Sequence, residues 1–248
     1  MSGFRLKVFA LHALPSLGVG AGFIVLLLRV WYPAPLDEIF PQLTVICTAV
    51  AGALIIGALL TAVLASPGKD RELLKGQITL IVLVQITALG AGVWMTYIDR
   101  PLYIAFDTRN FFLITRTELQ AGAAAPGVAL PGPFEPPQLV FVEQPSDPRQ
   151  AIESLIAKLS GGGSQATYQP QQYRPFAAHR ESVYRAGVSY ADTLAKLNEE
   201  ASAQIEQLAL SHPGATLRFY LLIFAEQRGI LAIDTRRDKL VGYLDQVF

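Results

Sequence analysis

Two apolar runs, residues 43–64 and 78–97, flank one short charged loop at 66–75, and this hairpin constrains the chain more than any other feature. A run of about 20 apolar residues at about 1.5 Å per residue matches the ~30 Å hydrocarbon core of a bilayer. Inside hydrocarbon the backbone must satisfy its own polar groups, so each run is predicted to cross as a helix. A third run precedes them, from about residue 8 to 30, interrupted only by His12, Ser16 and Arg29. It is long and lacks a small-x-small cleavage site, so it reads as a retained span rather than a secretory signal, with a kink expected at Pro15. The sequence thus predicts a three-helix transmembrane bundle over residues 1–99 (spans about 8–30, 43–65 and 77–97). A soluble α+β domain with antiparallel strands follows over residues 100–248.

Charge at the span ends orients the bundle. Arg5 and Lys7 precede the first run and Lys69, Arg71 and Lys75 lie between the second and third, whereas 31–42 holds Asp37 and Glu38 with no Lys or Arg. The positive-inside rule then predicts a cytoplasmic amino terminus and an outward-facing carboxy-terminal domain, which in a bacterium with two membranes is periplasmic. Arg29, Trp31, Tyr32 and Arg100 stand at span ends and are expected to anchor the bundle at the headgroup level.

Small residues recur every fourth position in these runs: Gly18 and Gly22 in the first, Ala49, Ala53, Gly57, Thr61 and Ala65 in the second, Ala88, Gly92 and Thr96 in the third. Such stripes let helix backbones approach closely, which drives association where the hydrophobic effect no longer distinguishes helix from lipid. Gln85 lies mid-span, on nearly the same face as Ala88 and Gly92, and a carboxamide there needs a partner. That partner is either another chain's helix or a group in the same bundle, such as Thr48, Thr61 or a backbone carbonyl. No Asp, Glu, Lys or Arg falls near the centre of a span, which argues against a proton relay or ion pathway.

The chemistry search nominates no catalytic set. The formal net charge is zero, so no global field gathers nucleic acid. Cys47 is the one cysteine, which excludes an internal disulfide, and His12, His179 and His212 lack metal-ligand spacing and read as interfacial or surface residues. Asp107, Asp234 and Asp238 fall in predicted turns, where short acids bond their own backbone. The chain is not expected to be an enzyme or to hold a cofactor.

Beyond Asp99-Arg100-Pro101, residues 102–106 and 111–115 predict two strands joined by a tight turn, and 138–142 a third. Residues 146–160 predict a short amphipathic helix and 161–164 a flexible glycine run that lacks a phosphate-loop signature. An extended Pro/Gln/Tyr segment at 168–176 leads to one long or two consecutive helices over 177–210. The terminal stretches 217–224, 229–234 and 239–247 predict a meander, with turns at 226–228 and 236–238.

Several of these pieces resemble one family. Trp31-Tyr32-Pro33-x-Pro35-Leu36, Gly57-x-Leu59-Leu60-Thr61, Pro67-x-Lys69, Arg71-Glu72-Leu73, Val84-Gln85-x-x-Ala88-Leu89-x-x-Gly92 and Arg100-Pro101 resemble, in order and spacing, the TfpX/TfpZ family of type IV pilin accessory proteins. The resemblance continues through Asp147-Pro148, Tyr173-x-Pro175 and Ile233-Asp234. The chain departs from that pattern at Ala53 and Ala58, where relatives usually carry Asp and Pro, and at Gln77, where an acid is common. The resemblance implies a non-enzymatic inner-membrane helper that promotes assembly or surface display of a cognate type IV pilin. Gln85, Ala88, Gly92, Ala49, Ala53, Gly57 and Thr61 would form the face for the pilin helix, and the periplasmic domain would contact the pilin head. The pilus assembly machinery is a further possible partner. A pilin-modifying enzyme and a periplasmic ligand-binding sensor are the alternatives.

Overall fold

A computed structural model describes residues 3–65, 68, 70–120, 125–144, 147, 149, 152–153, 156, 165–225 and 227–245. The chain divides into two units, residues 1–29 with 40–98, and residues 30–39 with 99–248. Three helices of the first unit are long and apolar enough to cross a membrane. Helix α1 (Gly3–Leu26) runs through Pro15 and passes into a π-helical turn, Leu27–Trp31. Helices α2 (Gln42–Leu64) and α3 (Arg71–Asp99) follow. Helix α3 begins in the charged stretch read from sequence as loop, because Arg71, Glu72 and Lys75 are good helix formers and Lys75 bonds Glu72 at 2.7 Å.

The second unit is built on a mixed, mostly antiparallel sheet. Its strands are β1 (Pro101–Asp107), β2 (Asn110–Thr115), β3 (Gln138–Val142), β4 (Tyr173–Pro175), β5 (Val188–Ser189), β6 (Leu217–Phe224), β7 (Gln227–Asp234) and β8 (Lys239–Asp245). Their order is β4-β3-β1-β2-β6-β7-β8, with β5 also pairing β6. The expected antiparallel pattern holds for β1–β2 and for the meander β6–β7–β8, while β1–β3 and β2–β6 are parallel. Parallel neighbours need a long crossover, so local turn signals do not reveal them. Gln227 and Arg228 belong to β7 rather than to the expected turn, since Phe224 pairs with Gln227 and Ala225 takes the left-handed conformation.

The stretch 177–210 is divided. Helix α4 (Phe176–Ala186) ends at Gly187, where a Cβ would come within 2.5 Å of the Tyr220 hydroxyl. After β5 come α5 (Tyr190–Leu194) and α6 (Glu199–Ser211), the latter capped by Asn198, whose side chain accepts from Ala201 N at 2.8 Å. The amphipathic helix expected at 146–160 and the glycine run lie largely outside the described residues.

Alternation places the core on both sheet faces. On one, Ala201 and Ile205 of α6 pack on Leu217, Phe219, Ile230, Ala232 and Leu244, and Tyr103, Phe112, Ile114, Val140 and Tyr173 continue that face. On the other, Phe106, Phe111 and Tyr220 meet edge to face, and His179 of α4 stacks on Phe141 at 4.2 Å.

Burial raises the pKa of Tyr103 to about 12 and pushes Tyr173 and Tyr220 up as well. The unfolded tyrosines ionise near pH 10 while the folded ones hold their protons, so the folded state binds more protons and stability falls as pH rises above 10. Each such tyrosine contributes a slope of about 1.4 kcal/mol per pH unit. Thermal unfolding of the full chain in detergent is expected to show a steep loss of Tm between pH 10 and 12, and a flat profile there would contradict this assignment.

Candidate docking site in the membrane helices

Helices α1 and α2 pack closely because Gly20 leaves room for Leu54, whose Cδ1 lies 2.3 Å from where a Cβ would stand. Helix α3 is tied to this pair by a polar link. Gln85 Nε2 donates to the Ala53 carbonyl at 3.1 Å, and Gln85 Oε1 lies 2.7 Å from His12 Nε2. His12 Nδ1 is 2.9 Å from Thr61 Oγ1, which is also 2.9 Å from the Gly57 carbonyl. Gly57 makes the link sterically feasible, since a Cβ there would sit 2.0 Å from Gln85 Nε2.

Proton counting defines the imidazole. Gln85 Oε1 only accepts, so His12 Nε2 must carry a proton, and in the neutral ring Nδ1 then accepts from Thr61. Thr61 has one hydroxyl proton, which His12 Nδ1 and the Gly57 carbonyl share as acceptors. His12, expected at an interface or surface, therefore lies at the centre of the polar link. The sequence signal that could have found it is the occurrence of two isolated polar side chains, His12 and Gln85, within separate apolar runs.

A cleft of about 420 Å³ opens between α1 and α3 with α2 at its base. Leu11, Pro15, Val19, Ile78, Val82 and Leu89 supply apolar walls, and His12, Gln85 and Thr61 form its polar spot. The most apolar stretch of α3 contributes no buried residue.

The seven expected docking residues divide into two groups. Gly57 and Thr61 are buried and Gln85 is bonded within the bundle, whereas Ala49, Ala53 and Ala88 are exposed. Gly92 is half-buried with open space around its Cα, and its carbonyl accepts from Thr96 at 2.7 Å. The small-residue stripe is thus covered at one end and open at the other.

The four expected interface anchors differ in their surroundings. Arg29 is exposed in the π-helical turn, but Trp31, Tyr32 and Arg100 are 2%, 3% and 0% exposed and belong to the second unit. Trp31 Nε1 donates to Pro133 O at 2.7 Å, and Arg100 donates to the carbonyls of Pro131, Gly132 and Glu135 at 2.9, 2.7 and 3.2 Å. The Arg100 guanidinium also stands 5.9 Å from the Trp31 ring centre. The Trp31 and Arg100 tips thus donate to backbone carbonyls of the 131–135 segment.

Comparison with known proteins gives three fimbrial assembly proteins of Dichelobacter nodosus. The chain is 23% identical to the serogroup I protein over 223 residues, covering 88% of this chain and 85% of the relative. It is 21% identical to the serogroup E1 protein over 207 residues (82% and 79%), and 27% identical to the protein of serogroups C1 and C2 over 116 residues (47% and 88%). No protein-family model and no solved structure matches the chain.

Proposed function

We propose that this chain is a non-enzymatic accessory protein of the bacterial inner membrane that promotes assembly or surface display of a cognate fimbrial subunit, a type IV pilin. The observation that carries this reading is the similarity to fimbrial assembly proteins across 88% of the chain, a span long enough to include both units. The amino terminus is cytoplasmic and the second unit periplasmic, in line with the basic residues at Arg5, Lys7, Arg71 and Lys75 and the acidic 31–42 connection. In the membrane, the subunit's helix lies along the cleft between α1 and α3 and the open end of the small-residue stripe. The cleft supplies shape and one polar spot at His12 and Gln85, while Ala49, Ala53 and Ala88 allow close backbone approach. An occupant carrying a hydrogen-bonding group at mid-membrane depth would meet the imidazole there. Catalysis is not part of the role, and the chain acts by holding the subunit before its incorporation.

Site-specific photocrosslinking in intact cells tests the docking surface. A photoreactive residue at Leu11, Ala53 or Ala88 is expected to capture the fimbrial subunit through its membrane helix. The same residue at Ile55, about 200° around α2 from Ala53, is expected to give at least fivefold less adduct. Equal capture from Ile55, or none from the three test positions, would overturn this placement.

A further inference from the structure

A second cavity, of about 420 Å³, lies wholly within the second unit, where the β1–β2 turn, the end of α4 and the residues after α5 meet along β6. Phe219, Leu221, Ile230 and Leu197 give it an apolar floor. Its mouth carries three exposed cations, Arg109, Arg185 and Lys196, and among the described residues no Asp or Glu lines it. Among the described residues, no carboxylate lies within ion-pair distance of any of these three. Arg174, Arg180 and Arg237 of the same unit, by contrast, are paired with Glu143, Asp238 and Asp234. Three unpaired like charges around one opening repel each other weakly and gain by meeting anions.

We propose that this pocket docks an acidic segment of a partner protein, in which an apolar side chain is flanked by carboxylates. The cations stand at the mouth and the floor is apolar, so an anion lying deep in the pocket would leave its charge against Phe219 and Ile230. An occupant that buries an apolar side chain and keeps its carboxylates at the rim satisfies both parts. The volume suits two or three side chains and the rim is open, as protein docking requires. This deepens the reading above, on which it rests for the identity of the partner: the fimbrial subunit's head would bring the acidic segment.

The test uses the full chain in cells that make the fimbrial subunit. A photocrosslinker replaces Val188, a partly exposed residue at the pocket's edge, and the adduct is mapped by mass spectrometry, with and without R109Q, R185Q and K196Q together. The three side chains are exposed and unbonded, so their neutralisation leaves the fold intact, checked by an unchanged Tm. The expected result is an adduct on a segment with at least two acidic residues, reduced at least tenfold by neutralisation. An adduct with those properties on a different protein upholds the pocket and removes the fimbrial reading. No adduct, an adduct on a segment without acids, or one indifferent to neutralisation overturns the proposal. So does a small anion or anionic lipid that co-purifies with the parent and is lost from the neutralised variant.

Discussion

Replacing Arg100 by Leu is expected to destabilise the second unit by about 3–5 kcal/mol, a large share of the roughly 5–15 kcal/mol that holds a domain together. The guanidinium is fully buried, and its removal strands the carbonyls of Pro131, Gly132 and Glu135 that it serves. Leucine fills part of the volume but supplies no donor. Lysine restores the charge without the planar fork that reaches several carbonyls at once, so Arg100→Lys is expected to recover only part of the loss. Thermal unfolding and limited proteolysis of the full chain in detergent measure the effect. A drop in Tm too small to correspond to 1 kcal/mol would mean that these bonds contribute little, and that Arg100 is held there for another reason.

The second large effect concerns the bundle, and it is a coupling rather than a single loss. Gly57→Ala places a methyl within 2.0 Å of the Gln85 amide, which must swing away and give up its bonds to Ala53 and His12. At about 0.6–2 kcal/mol for each of the two interhelical bonds, the substitution is expected to cost the bundle about 1–4 kcal/mol. Gln85→Ala alone loses the same bonds. Once Gln85 has been shortened, the space beside Gly57 is free, so Gly57→Ala in that background is expected to cost less than 0.5 kcal/mol. A double-mutant cycle on denaturant unfolding in micelles reads this directly. Additive losses would show that Gly57 and Gln85 do not share a contact.

The three long apolar helices were legible because hydropathy directly reports a run long enough to match a bilayer core. Their ends were less so, since the basic and acidic first turn of α3 contributes nothing to an apolar run. Strands β1, β2, β3 and the terminal meander followed from alternation and turn residues. The parallel β1–β3 and β2–β6 pairs did not, because their partners are chosen by the tertiary fold.

Within the candidate site, Gln85 was legible as a lone carboxamide in hydrocarbon, but its bond to His12 joins residues 73 positions apart. Periodicity showed that Ala49, Ala53, Gly57 and Thr61 share a face without showing that only half of it would be covered. Trp31, Tyr32 and Arg100 have the composition of an interfacial belt, and only the distant 131–135 segment reveals what binds the Trp31 and Arg100 tips. The pocket at Arg109, Arg185 and Lys196 gave no sequence signal, since its three cations come from separate elements.

The central claim is that the chain promotes fimbrial assembly without altering the subunit covalently. Deleting its gene, counting surface fimbriae and weighing the intact fimbrial subunit in mutant and parent tests this most directly. The account predicts at least a severalfold loss of surface fimbriae, restored by the intact gene, with a subunit of unchanged mass. A shift in subunit mass would make the chain a modifying enzyme, and unchanged fimbriation with unchanged mass would contradict the assembly role altogether.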